Sequence, residues 1–497
     1  MNKNFILTFF LLAVVFQLHG QNQKVELVSN ASGQTLTVDG RPFMINGMNW
    51  DYVPIGANYS YDFWSQPDDF IKEALDAEMS LLQNMNVNTI RVYSGIQPKW
   101  VTYIYENYGI YTLLNHSFGR YGLTIDGVWV PNTEYSDPKT KRFLLNEVKK
   151  LANEFKDTPG LLMFMLGNEN NYGLSWGGAE TEDVPIGTDG TIKKRARAMY
   201  SLMNEAVLEI KSIVSNKPVA ICNGDLLFLE LVAEHAPDID VYATNMYRGV
   251  SFTDAFERVK NELGKPLMFS EFGSDAFNAI AMQEDQKMQA YYMVNNWKEI
   301  YENAAGLGKA QNSIGGFTFQ FSDGWWKRGQ TKDLDIHNTE ASWTAGGYTL
   351  DTKNGSKNMN EEWFGICAKG RPNASGLYTL YPRASYYALK DVHDLNPYAP
   401  GISLITVSEY FKSVNLMEYV LKARGDKAAA GNGGDGQVLR ISNLSARFTT
   451  FNTGGDLITT PDNPDPDSNA LPNQLGFDHM QSYFVGVEGK PAANMRA

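Results

Sequence analysis

The sequence predicts an α/β fold, a (β/α)8 (TIM) barrel followed by a small C-terminal β-rich or loop-rich appendage. Short apolar runs alternate eight times with amphipathic helical segments, which is typical of parallel strands joined by helices. Several runs turn abruptly polar at their C-terminal end, where a barrel carries its functional residues. The 497 residues leave room for a barrel of roughly 250 residues or more and an appendage. A doubly wound open sheet is the rival fold, but no Gly-x-Gly-x-x-Gly follows an early strand.

Eight apolar segments are the predicted barrel strands. Each is short and is bounded by Gly, Pro, Asn or Asp, as strands buried on both faces usually are. In chain order they lie within residues 42–50, 87–93, 110–122, 161–166, 218–225, 238–249, 265–273 and 314–326. Helices with an apolar stripe are predicted at 68–85, 141–157, 191–215, 226–235, 253–263, 283–303 and 381–395. Asp68 or Asp69 can cap the first helix, Thr253 is the expected cap of the fifth, and the last helix closes the barrel.

The two ends of the chain differ from this pattern. Residues 1–20 combine Lys3, an apolar stretch at 5–16 and a small residue at Gly20, which predicts a signal peptide and export to the periplasm or the outside. Two β segments follow at 25–40, as a hairpin with Asp39-Gly40 at or near its turn. The catalytic barrel domain is predicted at 21–398. Residues 399–497 are rich in Gly, Asn, Asp and Pro, which indicates a β-rich extension that could be an incomplete module.

The composition and the absence of certain motifs argue against several classes of function. The net charge of −13 argues against a nucleic-acid partner, and no run of about 20 apolar residues predicts a transmembrane segment. The absence of His-x-x-x-His and of Gly-x-Ser-x-Gly argues against a metal site and against a serine nucleophile, and no cofactor is implied. Cys222 and Cys367 are expected to be buried free thiols, and a disulfide is the alternative that the sequence leaves. The oligomeric state is open as well.

Two glutamates stand at predicted strand ends. Glu169 follows the apolar run 161–166 in LGNEN, and Glu271 ends the run of KPLMFSEFG. Strands four and seven face each other across the mouth of a barrel, so the two carboxyls can act as a pair, and glycoside hydrolysis is the commonest use of such a pair. Arg91 is an ion within the second strand and needs a carboxylate partner, and Tyr247 ends the sixth strand.

At these residues the chain resembles clan A of the retaining (β/α)8 glycosidases, in particular the catalytic domain of glycoside hydrolase family 2 and the family 72 β-1,3-glucanosyltransferases. LGNEN resembles the strand-four signature, which implies Glu169 as acid/base and Asn168 as ligand of the sugar 2-hydroxyl. SEFG implies Glu271 as nucleophile, while NTIRVY and NMY imply that Arg91 and Tyr247 support it.

Further aromatic and histidine residues are predicted to bind the sugar. The strand-eight pattern of family 2 has Trp where this chain has Phe319, so Trp325 and Trp326 just beyond it are expected to stack on the substrate. Trp50 ends the first strand and is added to the substrate-binding set. His116 is added as well, although it is equally well explained as a loop or core histidine.

The sequence therefore predicts an exported retaining β-glycosidase that acts on a carbohydrate substrate, a poly- or oligosaccharide; by resemblance alone, a β-glucan is the first guess. A β-glucanosyltransferase would use the same two glutamates. A non-catalytic carbohydrate-binding barrel is a different class, and the presence of both glutamates argues against it. An inverting hydrolase would differ in the separation of the carboxyls.

Overall fold

The computed structural model describes residues 23–93, 95–174, 190–340, 359–426, 449–451 and 457–459. The predicted signal peptide, residues 1–20, lies outside the described residues. Within the ranges that the structure describes, none of the helices combines the length and the apolar character that a membrane crossing needs.

Eight parallel strands close into a barrel, as the sequence predicts. Each strand pairs with the next one along the chain, and the eighth pairs with the first, which closes the barrel. The strands are β1 Ile45–Asn49, β2 Thr89–Val92, β3 Tyr111–His116, β4 Leu161–Leu166, β5 Val219–Gly224, β6 Val241–Asn245, β7 Leu267–Phe272 and β8 Ser313–Thr318. Because all the strands run in one direction, their C-terminal ends meet at one mouth of the barrel.

Successive side chains of a barrel strand point alternately into the barrel interior and outward toward the helices. Because both sides are apolar cores, each strand needs a continuous apolar run. Leu113 and Met163 point into the barrel interior, while their neighbours Leu114 and Phe164 pack outward against the helices. An antiparallel sheet of Val25–Asn30, Gly33–Val38 and Arg41–Pro42 adds its own apolar residues to the interior cluster. The Val25–Asn30 strand turns into the next strand at residues 31–32, and Asp39-Gly40 forms the following turn rather than the one predicted.

Helices surround the barrel. They are α1 Asp68–Asn84, α2 Pro98–Tyr108, α3 Pro138–Phe155, α4 Gly190–Ile213, α5 Leu229–His235, α6 Ala255–Leu263, α7 Gln286–Glu302 and α8 Ala384–His393. Helix α2 was not predicted from the sequence, although Pro98 at its first turn and Gly109 in a left-handed C-cap are ordinary helix boundaries. Thr253 does not cap α6, because Asp254 occupies the N-cap position and its side chain makes no capping hydrogen bond.

The predicted domain boundary at residue 399 is wrong, because the chain remains part of the first compact unit well beyond it. Two helices follow there, α9 Leu404–Ser413 and α10 Leu416–Lys422. The ring of Phe411 in α9 lies 5.8 Å from that of Tyr301 in α7, and the Tyr419 hydroxyl in α10 donates to Asp391 in α8. The first compact unit extends to Asn432. In the second unit, Thr449–Phe451 pairs with Leu457–Thr459 as antiparallel strands.

Candidate active site

Glu169 and Glu271 both lie at the mouth formed by the C-terminal ends of the strands. Glu271 is the fifth residue of β7 and is only 7% exposed. Glu169 follows β4 by three residues and is partly exposed. Between β4 and Glu169 the backbone turns sharply, because Gly167 and Glu169 both adopt left-handed conformations, with φ of 87° and 61°. This turn ends the strand and leads into a short helix, Asn170–Gly173.

Glu271 is surrounded by hydrogen-bond donors. Its Oε1 accepts from Arg91 Nη1 and from the Tyr93 hydroxyl, each at 2.7 Å. Its Oε2 accepts from the Tyr247 hydroxyl at the longer distance of 3.2 Å. A cation and two hydroxyl donors thus hold this carboxyl in place, and the less engaged Oε2 retains lone pairs that can attack an electrophile.

Arg91 is fully buried and joins the two halves of the site. Besides Glu271, its guanidinium donates to Asn115 Oδ1 at 2.9 and 2.7 Å and to Asn168 Oδ1 at 2.7 Å. Burial by itself would lower the pKa of Arg91, but Tyr93 and Glu271 around it hold that pKa above its usual range. The guanidinium therefore stays charged and fixes Asn168 and Glu271 in relation to each other.

The amide of Asn245 connects Glu169 to this network. Its Nδ2 donates at 3.0 Å to Glu169 Oε1 and at 3.0 Å to Asn168 Oδ1. Burial, and then the negative charge of Glu271, raise the pKa of Glu169 to about 7. The two carboxyls therefore differ in their environment, with Glu271 paired to a cation and Glu169 able to hold a proton near neutral pH.

Several residues of this network were not predicted from the sequence. They are Asn49, Tyr93, Asn115, Tyr121 and Asn245, all of which hydrogen-bond to a predicted site residue. Four of them lie at or next to the C-terminal end of β1, β2, β3 or β6. The alternation of a strand gives the signal that could have found one of them, because Tyr93 lies two residues after the inward-pointing Arg91.

Trp325 and Trp326 lie in the loop after β8 and are both partly exposed. The Trp326 ring is 5.8 Å from that of Tyr59 and 4.6 Å from Lys327 Nζ, which also lies over Phe319. Trp325 stacks on His337 at 4.4 Å. The structure thus places both indoles on the loop beyond β8, and their contact with a sugar stays a prediction.

The prediction that Trp50 binds substrate is wrong, because its side chain belongs to the core. Trp50 is 2% exposed, packs on Phe63 and Trp64, and donates its indole N–H to Glu78 Oε2 at 2.7 Å. The neighbouring Asn49 points inward to Arg91. Since successive strand residues alternate, Trp50 points outward toward α1.

His116 is the last residue of β3 and contacts its own loop. Its Nδ1 accepts the backbone N–H of Phe118 at 3.1 Å, and burial lowers its pKa to about 4. The imidazole is therefore neutral at pH 7. This placement fits the alternative of a loop histidine, and direct sugar binding by His116 stays a prediction.

Outside the pair of glutamates, one group of side chains has the residue types of a metal site. It consists of Asp323, His337 and Asp426, whose ligand atoms lie within 4.8 Å of one another. Arg383, however, donates to both carboxylate oxygens of Asp323, at 2.6 and 2.8 Å. A guanidinium already neutralises this carboxylate, so we interpret the group as an ion-pair network that holds the loop after β8.

Cys222 and Cys367 are both free and buried.

Replacing Arg91 with Met is expected to lower the free energy of unfolding by about 3–5 kcal/mol, because Glu271 would be left as a buried charge without its cation. Urea denaturation followed by circular dichroism measures the loss. Lys99→Met is the control, since its ion pair with Asp68 is solvent-exposed and worth about 1 kcal/mol or less. Adding Glu271→Gln to Arg91→Met is expected to recover part of the stability. Equal stability of the Arg91 and Lys99 variants would contradict the buried pair.

Residues 30–380 match the family described as "Glycosyl hydrolases family 2, TIM barrel domain". This range contains all eight barrel strands and both glutamates. Among curated proteins, no match to the chain was found.

Solved structures that resemble the chain include a family 2 β-galacturonidase from Eisenbergiella tayi bound to galacturonate, with 14% identity, a TM-score of 0.46, and 75% of this chain and 55% of that one covered. A β-glucuronidase from Bacteroides uniformis has 11% identity, a TM-score of 0.48, and coverages of 74% and 37%. A β-D-glucuronidase from Dictyoglomus thermophilum has 14% identity, a TM-score of 0.45, and coverages of 76% and 54%. The chain thus spans about half of the length of these proteins or less.

Proposed function

Since the chain belongs to glycosyl hydrolase family 2, with a match to its TIM-barrel domain, we propose that it is a retaining β-glycosidase with Glu271 as nucleophile and Glu169 as acid/base. The observation that carries the proposal is the contrast between the two carboxyls at one barrel mouth. Glu271 accepts from Arg91 and two tyrosines, whereas the pKa of Glu169 is raised to about 7. A double displacement needs one carboxylate and one carboxylic acid, and these environments supply them.

In the first step Oε2 of Glu271 attacks the anomeric carbon, and the bond from that carbon to the leaving oxygen breaks. The electron pair goes to the leaving oxygen, which takes the proton of Glu169. In the second step a water molecule gives a proton to Glu169 while its oxygen attacks the same carbon and releases Glu271. Two inversions give net retention, and Glu169 ends protonated, ready for the next cycle.

The other residues of the network position these two groups. Arg91 and Tyr93 hold Oε1 of Glu271, which leaves Oε2 as the attacking atom. Asn168 is held by Arg91 and Asn245 through its Oδ1, and its Nδ2 donates to the Tyr121 hydroxyl. In the substrate complex we expect this Nδ2 to donate to the sugar 2-hydroxyl. Such a bond to the 2-hydroxyl strengthens in the transition state of glycoside hydrolysis.

The substrate class we propose is a β-linked oligo- or polysaccharide outside the cell, with a β-glucan as the first candidate. Export is inferred from the apolar stretch at 5–16 after Lys3, and the β-glucan from the sequence resemblance alone. A glucanosyltransferase is the alternative, since a second sugar can replace water in the second step without any change in the two glutamates.

The test is the stereochemistry of the first product. The purified chain is incubated with aryl β-glycosides of neutral sugars and uronic acids and with β-glucan oligosaccharides, and proton NMR follows the anomer released. We expect the β-anomer to appear first. An α-anomer would indicate an inverting hydrolase, products longer than the starting oligosaccharide would favour transfer, and saccharide binding without any turnover would favour a non-catalytic barrel.

A further inference from the structure

A lysine and a glutamate from the chain between β8 and α8 form an ion pair that is largely withdrawn from water. Lys327 Nζ lies 3.0 Å from Glu361 Oε1, and the two side chains are 18% and 24% exposed. The ammonium group also lies over two aromatic rings, 4.6 Å from the centre of the Trp326 ring and 5.1 Å from that of Phe319. The carboxylate and the two rings together fix the position of the ammonium group.

A continuous chain of contacts connects this pair to the nucleophile. Phe319 is the residue directly after β8, so it lies at the C-terminal end of that strand, at the mouth of the barrel. Its ring packs against that of Tyr247, with the ring centres 6.4 Å apart, and the Tyr247 hydroxyl donates to Glu271 Oε2. Because Lys327 Nζ lies over the Phe319 ring, the ion pair borders the sugar that Glu271 attacks.

The charges of the ion pair and of the catalytic carboxyls act on each other, which supports the same placement. Burial by itself would lower the pKa of Lys327, but Glu361 and, after it, Glu271 hold this pKa above its usual range. Burial and then the charge of Glu271 raise the pKa of Glu169, and Glu361 raises it further. Lys327 is therefore charged at neutral pH, and Glu361 adds its carboxylate to the two catalytic carboxyls of the mouth.

The topology indicates which part of the sugar the ion pair faces. Asn168, the proposed donor to the sugar 2-hydroxyl, lies two residues after the end of β4. In a closed barrel of eight strands in chain order, β4 and β8 lie on opposite sides of the mouth. The ring atom opposite C2 in a pyranose is C5, which carries the hydroxymethyl group of a neutral hexose or the carboxylate of a uronic acid. The pair of Lys327 and Glu361, beyond β8, is therefore on the side of this group.

An ammonium group that is already paired with a carboxylate favours a neutral ligand. Lys327 has further N–H donors, and a carboxylate accepts several hydrogen bonds, so a sugar hydroxyl can accept from Lys327 and donate to Glu361. A sugar carboxylate can only accept. It would compete with Glu361 for the ammonium group and would be repelled by the charge of Glu361, and this repulsion is weakly screened where water is largely excluded.

Building on the proposed glycosidase function, we propose that the ion pair of Lys327 and Glu361 makes the enzyme selective for a neutral hexose over a uronic acid at the position that Glu271 attacks. Lys327 donates to the oxygen of the hydroxymethyl group, and Glu361 accepts from the same hydroxyl. Glu361 also repels a carboxylate at this place, so the selectivity comes from repulsion of the wrong sugar as well as from attraction of the right one.

The test is a ratio of kcat/KM for two aryl β-glycosides that differ only at C6. A glucoside and the matching glucuronide form one pair of substrates, and a galactoside and the matching galacturonide form the other. Wild type should prefer the neutral sugar about tenfold or more, because like charges brought together in a binding site are costly. Glu361→Gln removes the repelling charge and frees the ammonium group, so the ratio should shift about tenfold or more toward the uronide. Lys327→Met leaves Glu361 without its cation, so the ratio should move the other way.

This ratio distinguishes selectivity from a purely structural ion pair. Both substrates are measured on the same preparation, so a variant that folds less well loses activity on both of them and keeps the ratio. Glu340→Gln is the matched control, because it makes the same substitution in an ion pair with Arg328 in which Glu340 is 76% exposed, and its ratio should be that of wild type. Competitive inhibition of the best substrate by glucose and by glucuronic acid gives the same comparison where the aryl glycosides are cleaved slowly.

The outcomes separate this selectivity from the glycosidase function. A preference of wild type for the uronide, or a ratio that both Glu361→Gln and Lys327→Met leave unchanged, would overturn the selectivity. The glycosidase function would still stand in that case if Glu271→Gln abolished the cleavage. Absence of cleavage of every probe by wild type would overturn both.

Discussion

Replacing Glu271 with Gln is expected to lower kcat/KM about 10⁴-fold or more on every substrate, because no other group can form the bond to the anomeric carbon. The amide keeps the shape of the side chain, and its oxygen can still accept from Arg91 and Tyr93. Saccharide binding should therefore persist while turnover is lost. Initial rates on aryl β-glycosides, with calorimetry for binding, measure the two effects separately.

Glu257→Gln is the control for this variant, since Glu257 is exposed on α6 and the substitution is chemically identical. Circular dichroism should show both variants folded. Turnover within about tenfold of wild type in a folded Glu271→Gln protein would remove Glu271 as nucleophile, because loss of a covalent nucleophile costs far more than that.

The chemistry of the site was visible in the sequence because the barrel places it at strand ends. Glu169, Glu271 and Arg91 are charged residues, and each of them interrupts or ends an otherwise apolar run. Closing the barrel then brings residues 91, 169 and 271 to one mouth, a consequence of parallel strands rather than of any local signal. Prediction of the barrel and of its principal polar residues therefore depended on the same pattern.

The direction of each side chain was harder to predict. In strands buried on both faces, inward and outward positions are equally apolar, so composition does not reveal the alternation. Asn49 was missed and Trp50 chosen in its place, although β1 pairs Asn49 with Arg91 and so puts Asn49 on the inner face. An indole is also an ordinary core residue, and Glu78 on α1 satisfies its N–H. The residues on neighbouring strands and helices decide which way a side chain points. Only the tertiary structure shows which residues these are.

The predicted domain boundary at residue 399 was wrong for a similar reason. Helices α9 and α10 are short, and a stretch rich in Gly and Asn follows them, so the composition of 399–497 averages to loop or strand material. What fixes the helices is contact with α7 and α8, through Phe411 on Tyr301 and Tyr419 on Asp391. Short helices depend on such packing more than on their own propensity.

Replacing Glu169 with Ala is expected to lower kcat/KM about 10²–10⁴-fold for saccharides, whose leaving oxygen needs a proton. An activated aryl glycoside should keep a kcat/KM near that of wild type, because its phenolate leaves without help. Its kcat should fall, since water then attacks the glycosyl-enzyme without a base. Azide, which needs no base, should restore kcat and give a β-glycosyl azide. Glu257→Ala, on the outside of the barrel, is the control.

The pH profile tests the same role independently. Burial and the charge of Glu271 raise the pKa of Glu169 to about 7, and only the protonated form can act as acid. Since protonation is lost as pH rises through that pKa, kcat/KM of wild type on saccharides should be highest below pH 7 and fall above it. Glu169→Ala should lose this alkaline fall. If the fall persists in the variant, or if saccharides and aryl glycosides lose activity equally, a group other than Glu169 supplies the proton.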